Sequence, residues 1–246
     1  MSAAVMRAAE FDNTTLSLIK EASNMDFTRA RLSNTSLVAS VLVSAKFHQA
    51  ELRKLQFLDT PLQGCQFDGA ALNEVSFSGF NLTSCSFPQA VFSNVNMTDS
   101  NLEGVQLSQT RWIDCKLERA SLKHAIIHYA DMARANLRGV ELSNAQLKGT
   151  SFDGANLSSS MLHNTDLTGC NFSNADMSKC ELVDNTMDKT SFYKTDLSSA
   201  SIKGADLSGT VSLPTAILKD TSFEGVGVSF VARLKLKWAG ALIDIY

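Results

Sequence analysis

Large apolar residues recur at every fifth position over most of this chain. From Phe27 to Leu207, each fifth residue is Leu, Phe, Met, Ile or Trp, which makes 37 consecutive pentapeptides without an insertion. This period fits neither the 3.6-residue turn of an α-helix nor the two-residue alternation of a β-strand. A fixed, self-similar period predicts a solenoid in which each repeat packs against its neighbours.

The positions around each large residue, which we call the centre, also follow a pattern. The residue two before the centre is small, as at Ala30 and Ala45, and the residue between them is often polar, as at Asp176. Residues two apart on an extended chain face the same way, so the small residue and the centre are predicted to point inward. Gly often lies two after the centre, as at Gly64, where it predicts a turn with positive φ.

This pattern resembles the pentapeptide-repeat family, whose consensus is A-(D/N)-L-x-x. The segments Ala135–Leu137, Ala155–Leu157 and Ala205–Leu207 match the consensus, and the resemblance covers about three quarters of the chain. It implies an all-β fold, a right-handed quadrilateral parallel β-helix of about ten coils with four pentapeptides in each coil. Residues twenty apart would then stack on one face.

The similarity of residues twenty apart favours the four-sided interpretation. One such column is almost entirely Leu, and another holds three Phe residues in series. Like side chains that stack at the inter-strand spacing of about 4.8 Å pack efficiently. The two columns are Leu42, Leu62, Leu82, Leu102, Leu122, Leu142, Leu162, Leu182 and Ile202, and Phe47, Phe67 and Phe87.

We predict three segments: an N-terminal cap over residues 1–24, the β-helix over 25–228, and a C-terminal cap over 229–246. The stretch from Asn13 to Ala22 can form a short helix with a side-chain cap at its start. Such a helix would cover the open end of the β-helix, which otherwise exposes apolar side chains and unpaired strand edges.

The repeat changes frame by one residue near residues 211–213, after which Leu213 and Leu218 are centres. Beyond residue 229 the pattern fits either a helix or a strand. We prefer a helix for the first part, followed by an extended segment from Ala241. Apolar residues there also predict a homodimer contact, as resemblance to topoisomerase-protecting family members implies. The predicted dimer residues are Phe230, Leu234, Trp238 and Leu242.

Composition and charge exclude several classes of protein. The net charge is −3 and the isoelectric point is about 5.8, so extensive phosphate binding and direct contact with nucleic acid are not expected. The sequence contains no run of eighteen apolar residues, so no membrane span is predicted. The first residues lack the apolar core of a secretory signal, so we expect a bacterial cytoplasmic location. A secretion signal without hydrophobic character would not be visible in the sequence.

The cysteines all lie two before a centre, where a small inward residue is expected. We interpret them as small apolar fillers. A disulfide between Cys65 and Cys85, on neighbouring coils, is the alternative, but the odd total favours a reducing compartment. The histidines lie at outward or corner positions, away from the cysteines, so no metal site and no cofactor are predicted. The cysteines are Cys65, Cys85, Cys115, Cys170 and Cys180.

No catalytic motif is present, and a uniform solenoid without long loops predicts no concave pocket for catalysis. We therefore expect a non-enzymatic protein-binding module, a rigid rod that presents charged residues to a protein partner as a bacterial effector or scaffold. The alternative, by resemblance, is a DNA mimic that protects type II topoisomerase (gyrase) from quinolones or toxins. A structural subunit joined end to end is a third interpretation. The candidate binding residues are Asp166, Asp176, Asp196, Asp206, Arg111, Lys116, Arg119 and Lys123.

Overall fold

The structure is a computed structural model that describes residues 5–17, 24–38, 42–227 and 242–243. These residues form a parallel β-solenoid of about ten coils, built almost entirely from short strands and turns. Among them, no helix has the length and apolar content needed to cross a lipid bilayer. The all-β fold that the resemblance to the pentapeptide-repeat family implies is therefore confirmed.

Most of the strands contain three residues. They are β1 Glu10–Asp12, β2 Thr15–Ser17, β3 Arg31–Ser33, β4 Ser36–Val38, β5 Glu51–Arg53, β6 Gln56–Leu58, β7 Ala71–Asn73, β8 Val91–Ser93, β9 Arg111–Ile113, β10 Met161–His163, β11 Glu181–Val183, β12 Ser201–Lys203, β13 Ser222–Glu224 and β14 Leu242–Ile243. They pair in parallel in three sheets, with the orders β1-β3-β5-β7-β8-β9, β2-β4-β6 and β10-β11-β12-β13-β14.

Pairing partners in the central coils are twenty residues apart, as in Leu52↔Leu72 and Phe92↔Trp112. Isolated bridges continue the same register where the strands are too short to form a sheet. Four columns of pairs run along the solenoid, so each coil has four faces. Each face is defined by one centre and all the centres that stack on it. Face 1 contains Leu62, face 2 contains Phe67, face 3 contains Leu72 and face 4 contains Phe77.

The burial pattern follows the pentapeptide. The small residue and the centre point into the solenoid and are buried, while the residue between them is half-buried or exposed. Leu102, Leu122 and Leu142, which stack on face 1, are completely buried. Apolar burial inside one continuous tube is thus the main stabilising force of the fold.

The corner two residues after a centre adopts positive φ at most described positions, whether or not the residue is glycine. Among the described residues, 31 that are not glycine have positive φ, for example Arg29 at 60° and Gln49 at 55°. This conformation costs roughly 1–2 kcal/mol for a residue with a Cβ. The corner N–H groups offset part of that cost by bonding to the following coil: Arg29 donates to the His48 carbonyl at 2.8 Å, and Gln49 donates to the Asp68 carbonyl at 2.9 Å.

The N-terminal helix predicted from Asn13 to Ala22 is wrong over its described part. Thr15–Ser17 is strand β2, which pairs with β4, and β1 pairs with β3. The solenoid therefore begins before residue 25, where we placed its start. The partners here are 21 residues apart, as in Phe11↔Leu32, so one extra residue hides the continuing five-residue period. Residues 18–22 lie outside the described residues.

The frame change near residues 211–213 is confirmed. Before it, Ser191 bridges Val211, twenty residues away, and after it Ile202 pairs with Phe223, 21 residues away. A 3-10 helix, Leu213–Thr215, takes up the extra residue. The new centres are buried, as predicted. They are Leu213, Leu218 and Phe223.

Little of the C-terminal prediction falls on described residues. The helix predicted after residue 229 and the dimer residues Phe230, Leu234 and Trp238 lie outside them. The extended segment predicted from Ala241 agrees with β14, which pairs in parallel with β13 and places Ile243 beside Phe223. Leu242 lies in β14, so the backbone of this predicted dimer residue is already paired within its own chain.

Candidate functional site

The four predicted acidic residues share one structural role. The Oδ1 atom of each carboxylate accepts a hydrogen bond from the backbone N–H two residues later, at 2.9–3.0 Å. Asn136 and Asn156, which occupy the same position of the pentapeptide, form the same bond. Side-chain bonds of this kind stabilise the turn that follows. The acidic residues are Asp166, Asp176, Asp196 and Asp206.

These carboxylates do not form a single row. Asp176 and Asp196 lie on face 4 and bridge each other through the backbone on adjacent coils. Asp166 and Asp206 lie on face 2, forty residues and therefore two coils apart. Asp206 is the most exposed of the four, and the backbone hydrogen bond from Ser208 lowers the pKa of its carboxyl group.

The predicted basic residues are spread around one coil rather than gathered in a patch. Arg111 lies on face 3, Lys116 and Arg119 on face 4, and Lys123 on face 1. Two of these charges are already paired. Arg119 donates two hydrogen bonds to Asp99, at 2.7 and 2.8 Å, and Lys123 lies 3.0 Å from Glu141.

The hydroxyl and thiol groups at the small inward position form a set of contacts that the sequence analysis missed. Thr165 donates to the Leu142 carbonyl, and Cys180 donates to the Leu157 carbonyl, in each case to the centre 23 residues earlier. Polar atoms of Thr and Cys are thus satisfied inside an apolar core. The sequence contains a signal for these bonds. Thr and Cys recur at the small inward position, which lies 23 residues after a centre of the preceding coil.

All five cysteines are buried free thiols, which agrees with their interpretation as small fillers. Cys65 and Cys85 stack on neighbouring coils, but each donates to a backbone carbonyl of its preceding coil instead of forming a disulfide. Burial raises the pKa of Cys85 to about 12 and that of Cys115 to about 11. Such thiols are poor nucleophiles at neutral pH.

The sequence predicts no concave pocket for catalysis, and it does not reveal a shallow cleft on the surface of the solenoid. This cleft of about 400 Å³ lies on face 2 and at its corner with face 1, between the coil of residues 184–188 and the coil of residues 204–209. Two glycines line it, and each lies beside a carboxylate of the preceding coil. A Cβ at Gly204 would lie 2.0 Å from the Asp184 carboxylate, and one at Gly209 would lie 2.5 Å from that of Asp188.

Three carboxylates and one buried amide line the cleft. Asp184, Asp188 and Asp206 are exposed, whereas Asn185 is only 5% exposed. Asn185 occupies the small inward position, where the sequence analysis expects a smaller residue. Its Nδ2 donates to the Leu162 carbonyl at 2.6 Å, but its Oδ1 has no hydrogen-bond partner. Of the predicted site residues, only Asp206 is part of this cleft.

Three solved structures are similar to this chain at low sequence identity and with TM-scores of 0.40 or below. HetL, a pentapeptide repeat protein involved in heterocyst differentiation regulation in the cyanobacterium Nostoc, is 22% identical over 89% of this chain and 88% of its own, with a TM-score of 0.40. A trypsin-treated variant of QnrB1, a plasmid-mediated fluoroquinolone resistance protein, is 16% identical over 98% of this chain and 100% of its own, with a TM-score of 0.35. A pentapeptide repeat protein of the Arabidopsis thaliana thylakoid lumen is 26% identical over 46% of this chain and 68% of its own, with a TM-score of 0.30.

No sequence among the curated proteins matches the chain. Two family models, both described as pentapeptide repeats, do match it. The eight-copy model matches residues 23–58, 100–139, 141–178 and 175–211, and the nine-copy model matches residues 62–106. These matches cover more than half of the chain and coincide with the stacked coils of the structure. The chain therefore belongs to the pentapeptide repeat family.

Proposed function

We propose that this chain is a non-enzymatic protein-binding module, an effector or scaffold of the bacterial cytoplasm that holds a charged surface in a fixed pattern. The observation that carries the proposal is the pairing of outward charges across coils. Arg31 lies 3.2 Å from both Glu10 and Glu51, and Lys203 lies 2.5 Å from Glu224, about twenty residues away in each case. Side chains held in register in this way present a preorganised surface, which lowers the entropic cost of binding.

The solenoid also sets the distance between surface groups. At about 4.8 Å per coil, ten coils give a rod roughly 45–50 Å long. Its interior is filled by stacked side chains, so the outward residues cannot rearrange by repacking of the core. A rigid surface of mixed charge suits recognition of a protein partner whose charges are complementary.

Site-specific photo-crosslinking in an extract of the source organism tests this proposal. A photoreactive amino acid is placed at Ser121 on face 1, Gln106 on face 2, Ser151 on face 3 or Lys116 on face 4. We expect one protein to be captured from one face or from two adjacent faces. Equal capture of the same proteins from all four faces, or no capture from any, would contradict a specific module. Turnover that is lost on mutating an outward histidine would contradict the absence of catalysis.

Protection of gyrase is the second candidate, and the acidic pair on face 4 favours it. Asp176 and Asp196 lie on adjacent coils, whose backbones are about 4.8 Å apart, and DNA carries one phosphate of each strand per about 3.4 Å of helix axis. A supercoiling assay of gyrase with and without a quinolone tests it. Protection by the native chain, lost when both residues are changed to Asn, supports this candidate. No effect on gyrase favours the general protein-binding module.

We also propose that the C-terminal segment mediates homodimer formation through Phe230, Leu234, Trp238 and Leu242. These large apolar residues exceed what the end of one coil would bury. Truncation after Val228 is expected to change the oligomeric state, so that light scattering gives the mass of one truncated chain instead of two. The same number of chains per particle in the full and truncated proteins would remove the dimer proposal.

A further inference from the structure

We propose that the cleft between residues 184–188 and residues 204–209 receives an arginine side chain of the partner protein. This inference rests on the proposed function, because it assigns a recognition site to the protein-binding module. The cleft combines three features that together select a planar, cationic donor of hydrogen bonds. They are uncompensated negative charge, an unused buried acceptor, and an open cleft in which two glycines lie beside the carboxylates.

The negative charge comes from Asp184, Asp188 and Asp206. Among the described residues, none of these three carboxylates lies in an ion pair, and the nearby Lys203 is paired with Glu224. Asp206 uses Oδ1 to accept the Ser208 N–H, which leaves Oδ2 free of that bond. A cation that enters the cleft would therefore meet carboxylates not already neutralised by the protein.

The unused acceptor is Oδ1 of Asn185. The equivalent positions one coil earlier and one pentapeptide later carry Thr165 and Thr190, whose hydroxyls donate to the centre carbonyl 23 residues before. Asn185, which lines the cleft, forms the corresponding bond through Nδ2 and leaves its buried Oδ1 without a hydrogen-bond partner. A buried acceptor without a partner is costly. An incoming N–H donor would satisfy it.

Gly204 and Gly209 leave room for two of the carboxylates that line the cleft. A Cβ at either position would collide with the carboxylate of Asp184 or Asp188. Gly204 also has φ of +64°, although many residues with side chains occupy the same kind of corner elsewhere in the chain. Glycine at these two corners therefore allows the carboxylates of Asp184 and Asp188 to lie against the backbone of the following coil.

Arginine fits these features better than a metal ion or lysine. No three acidic, histidine or cysteine side chains of the described residues come close enough to share a metal ion. A guanidinium group presents five N–H donors in one plane and can contact separate acceptors at once, whereas an ammonium group is a compact point charge. The dispersed carboxylates and the amide oxygen match the broader donor.

NMR titration of the full chain tests the proposal with three probes: acetyl-Gly-Arg-Gly-amide, its lysine analogue, and its citrulline analogue, which has nearly the same shape without the charge. We expect the arginine peptide to shift the amide signals of Ser208 and Gly209, and the citrulline peptide to bind at least about tenfold more weakly. Higher salt should weaken arginine binding because exposed charges are screened.

Matched variants separate the cleft from general charge. Asp206→Asn keeps the bond to the Ser208 N–H, as asparagine does at Asn136 and Asn156, and is expected to weaken arginine binding roughly two- to fivefold. Asp131→Asn makes the same change on face 3, where Asp131 Oδ1 accepts a hydrogen bond from the Ala133 N–H, and should leave binding unchanged. Asn185→Thr removes the unused acceptor, keeps the core bond, and should also weaken binding several-fold while the protein stays folded.

Equal affinity for the citrulline and arginine peptides, or equal losses in Asp206→Asn and Asp131→Asn, would overturn the arginine site. Full affinity in both Asp206→Asn and Asn185→Thr would also overturn it. These results are independent of the crosslinking experiment. Crosslinking to a partner with no arginine binding would overturn only this inference, whereas arginine binding without any crosslinked partner would overturn the proposed function.

Discussion

The N-terminal coils and the coils around Asn185 fill the same four-sided interior with different chemistry. On face 2, the rings of Phe47, Phe67 and Phe87 stack 4.9 and 4.8 Å apart and nearly parallel. Farther along this face the centres are Leu167 and Met187. There Thr165 and Asn185 bond to the backbone of the preceding coil from the small inward position, as the thiols of Cys65 and Cys85 do in the N-terminal coils. The backbone register is the same in both regions, so the fold needs one small and one large inward residue but tolerates polar atoms that find a partner.

The largest expected effect comes from removing a ring of the aromatic stack. Phe67 is completely buried and contacts Phe77 edge to face in addition to its two stacked neighbours. Phe67→Ala should lower the free energy of unfolding by about 3–5 kcal/mol, because it loses apolar burial and leaves a cavity. Chemical denaturation followed by circular dichroism measures the change. Phe67→Leu, which restores the residue type found at Leu107 on the same face, should cost less than about 1.5 kcal/mol.

A gain in stability is expected where the polar interior is imperfect. Asn185→Thr keeps a donor for the Leu162 carbonyl and removes the unpaired Oδ1, so it should raise the free energy of unfolding by about 1–2 kcal/mol. The reverse change at the equivalent position, Thr165→Asn, should lower it by a similar amount. A loss of stability in Asn185→Thr would show that Oδ1 is satisfied in solution.

A smaller effect is expected from removing one hydroxyl bond between coils. Thr165→Val preserves the shape but loses the bond at 3.0 Å to the Leu142 carbonyl, which still accepts from the Ala145 N–H. The free energy of unfolding should fall by about 1 kcal/mol. Hydrogen exchange of the two adjoining coils checks whether the loss is local, as expected for a solenoid with nearest-neighbour contacts. No change in either measurement would mean that this bond does not tie the coils.

The smallest effect concerns acid stability at the first coils. Hydrogen bonding from the Thr28 side chain, together with the Thr28 N–H and Arg7, lowers the pKa of Asp26 from its ordinary 3.8 to about 2. Because the ionised form is favoured in the folded state, its contribution is complete above about pH 4. It should be lost as the pH falls from about 4 to 2. Thermal melts of the native chain and Asp26→Asn over this range test this, and parallel pH profiles would contradict it.

Much of the interior could be predicted from the sequence, because burial depends on residue size at fixed spacing. The every-fifth apolar pattern predicts which centres are buried, and the change of frame before Leu218 is visible for the same reason. The N-terminal coil was missed because one extra residue before Phe27 places Phe11 and Leu16 in a different frame. The capping residue Asn13 indicates a helix locally, whereas the structure of this segment is decided by strand pairing with residues far away in the sequence.

The surface was harder to predict, because outward residues show no spacing that separates recognition from structure. The sequence predicts Asp176 as a binding residue, but in the structure its Oδ1 also accepts a hydrogen bond that stabilises a turn. Arg111 and Lys116 are close in sequence, but five residues place them on different faces. In the cleft, the carboxylate of Asp184 lies beside Gly204, and Oδ1 of Asn185 has no hydrogen-bond partner. Neither feature can be recognised from the sequence, because both depend on how the coils stack.

The return of the chain to the same phase after each twenty residues has a consequence for how its length can change. Deleting one full coil, such as residues 101–120, would rejoin the remaining centres in phase and shorten the molecule by about 4.8 Å. A deletion of eighteen or nineteen residues would put polar groups into the interior downstream. The separation between the charged coil at Arg119 and the cleft at Asp206 can therefore be adjusted during evolution only in whole-coil steps, apart from the single extra residues accommodated near the ends.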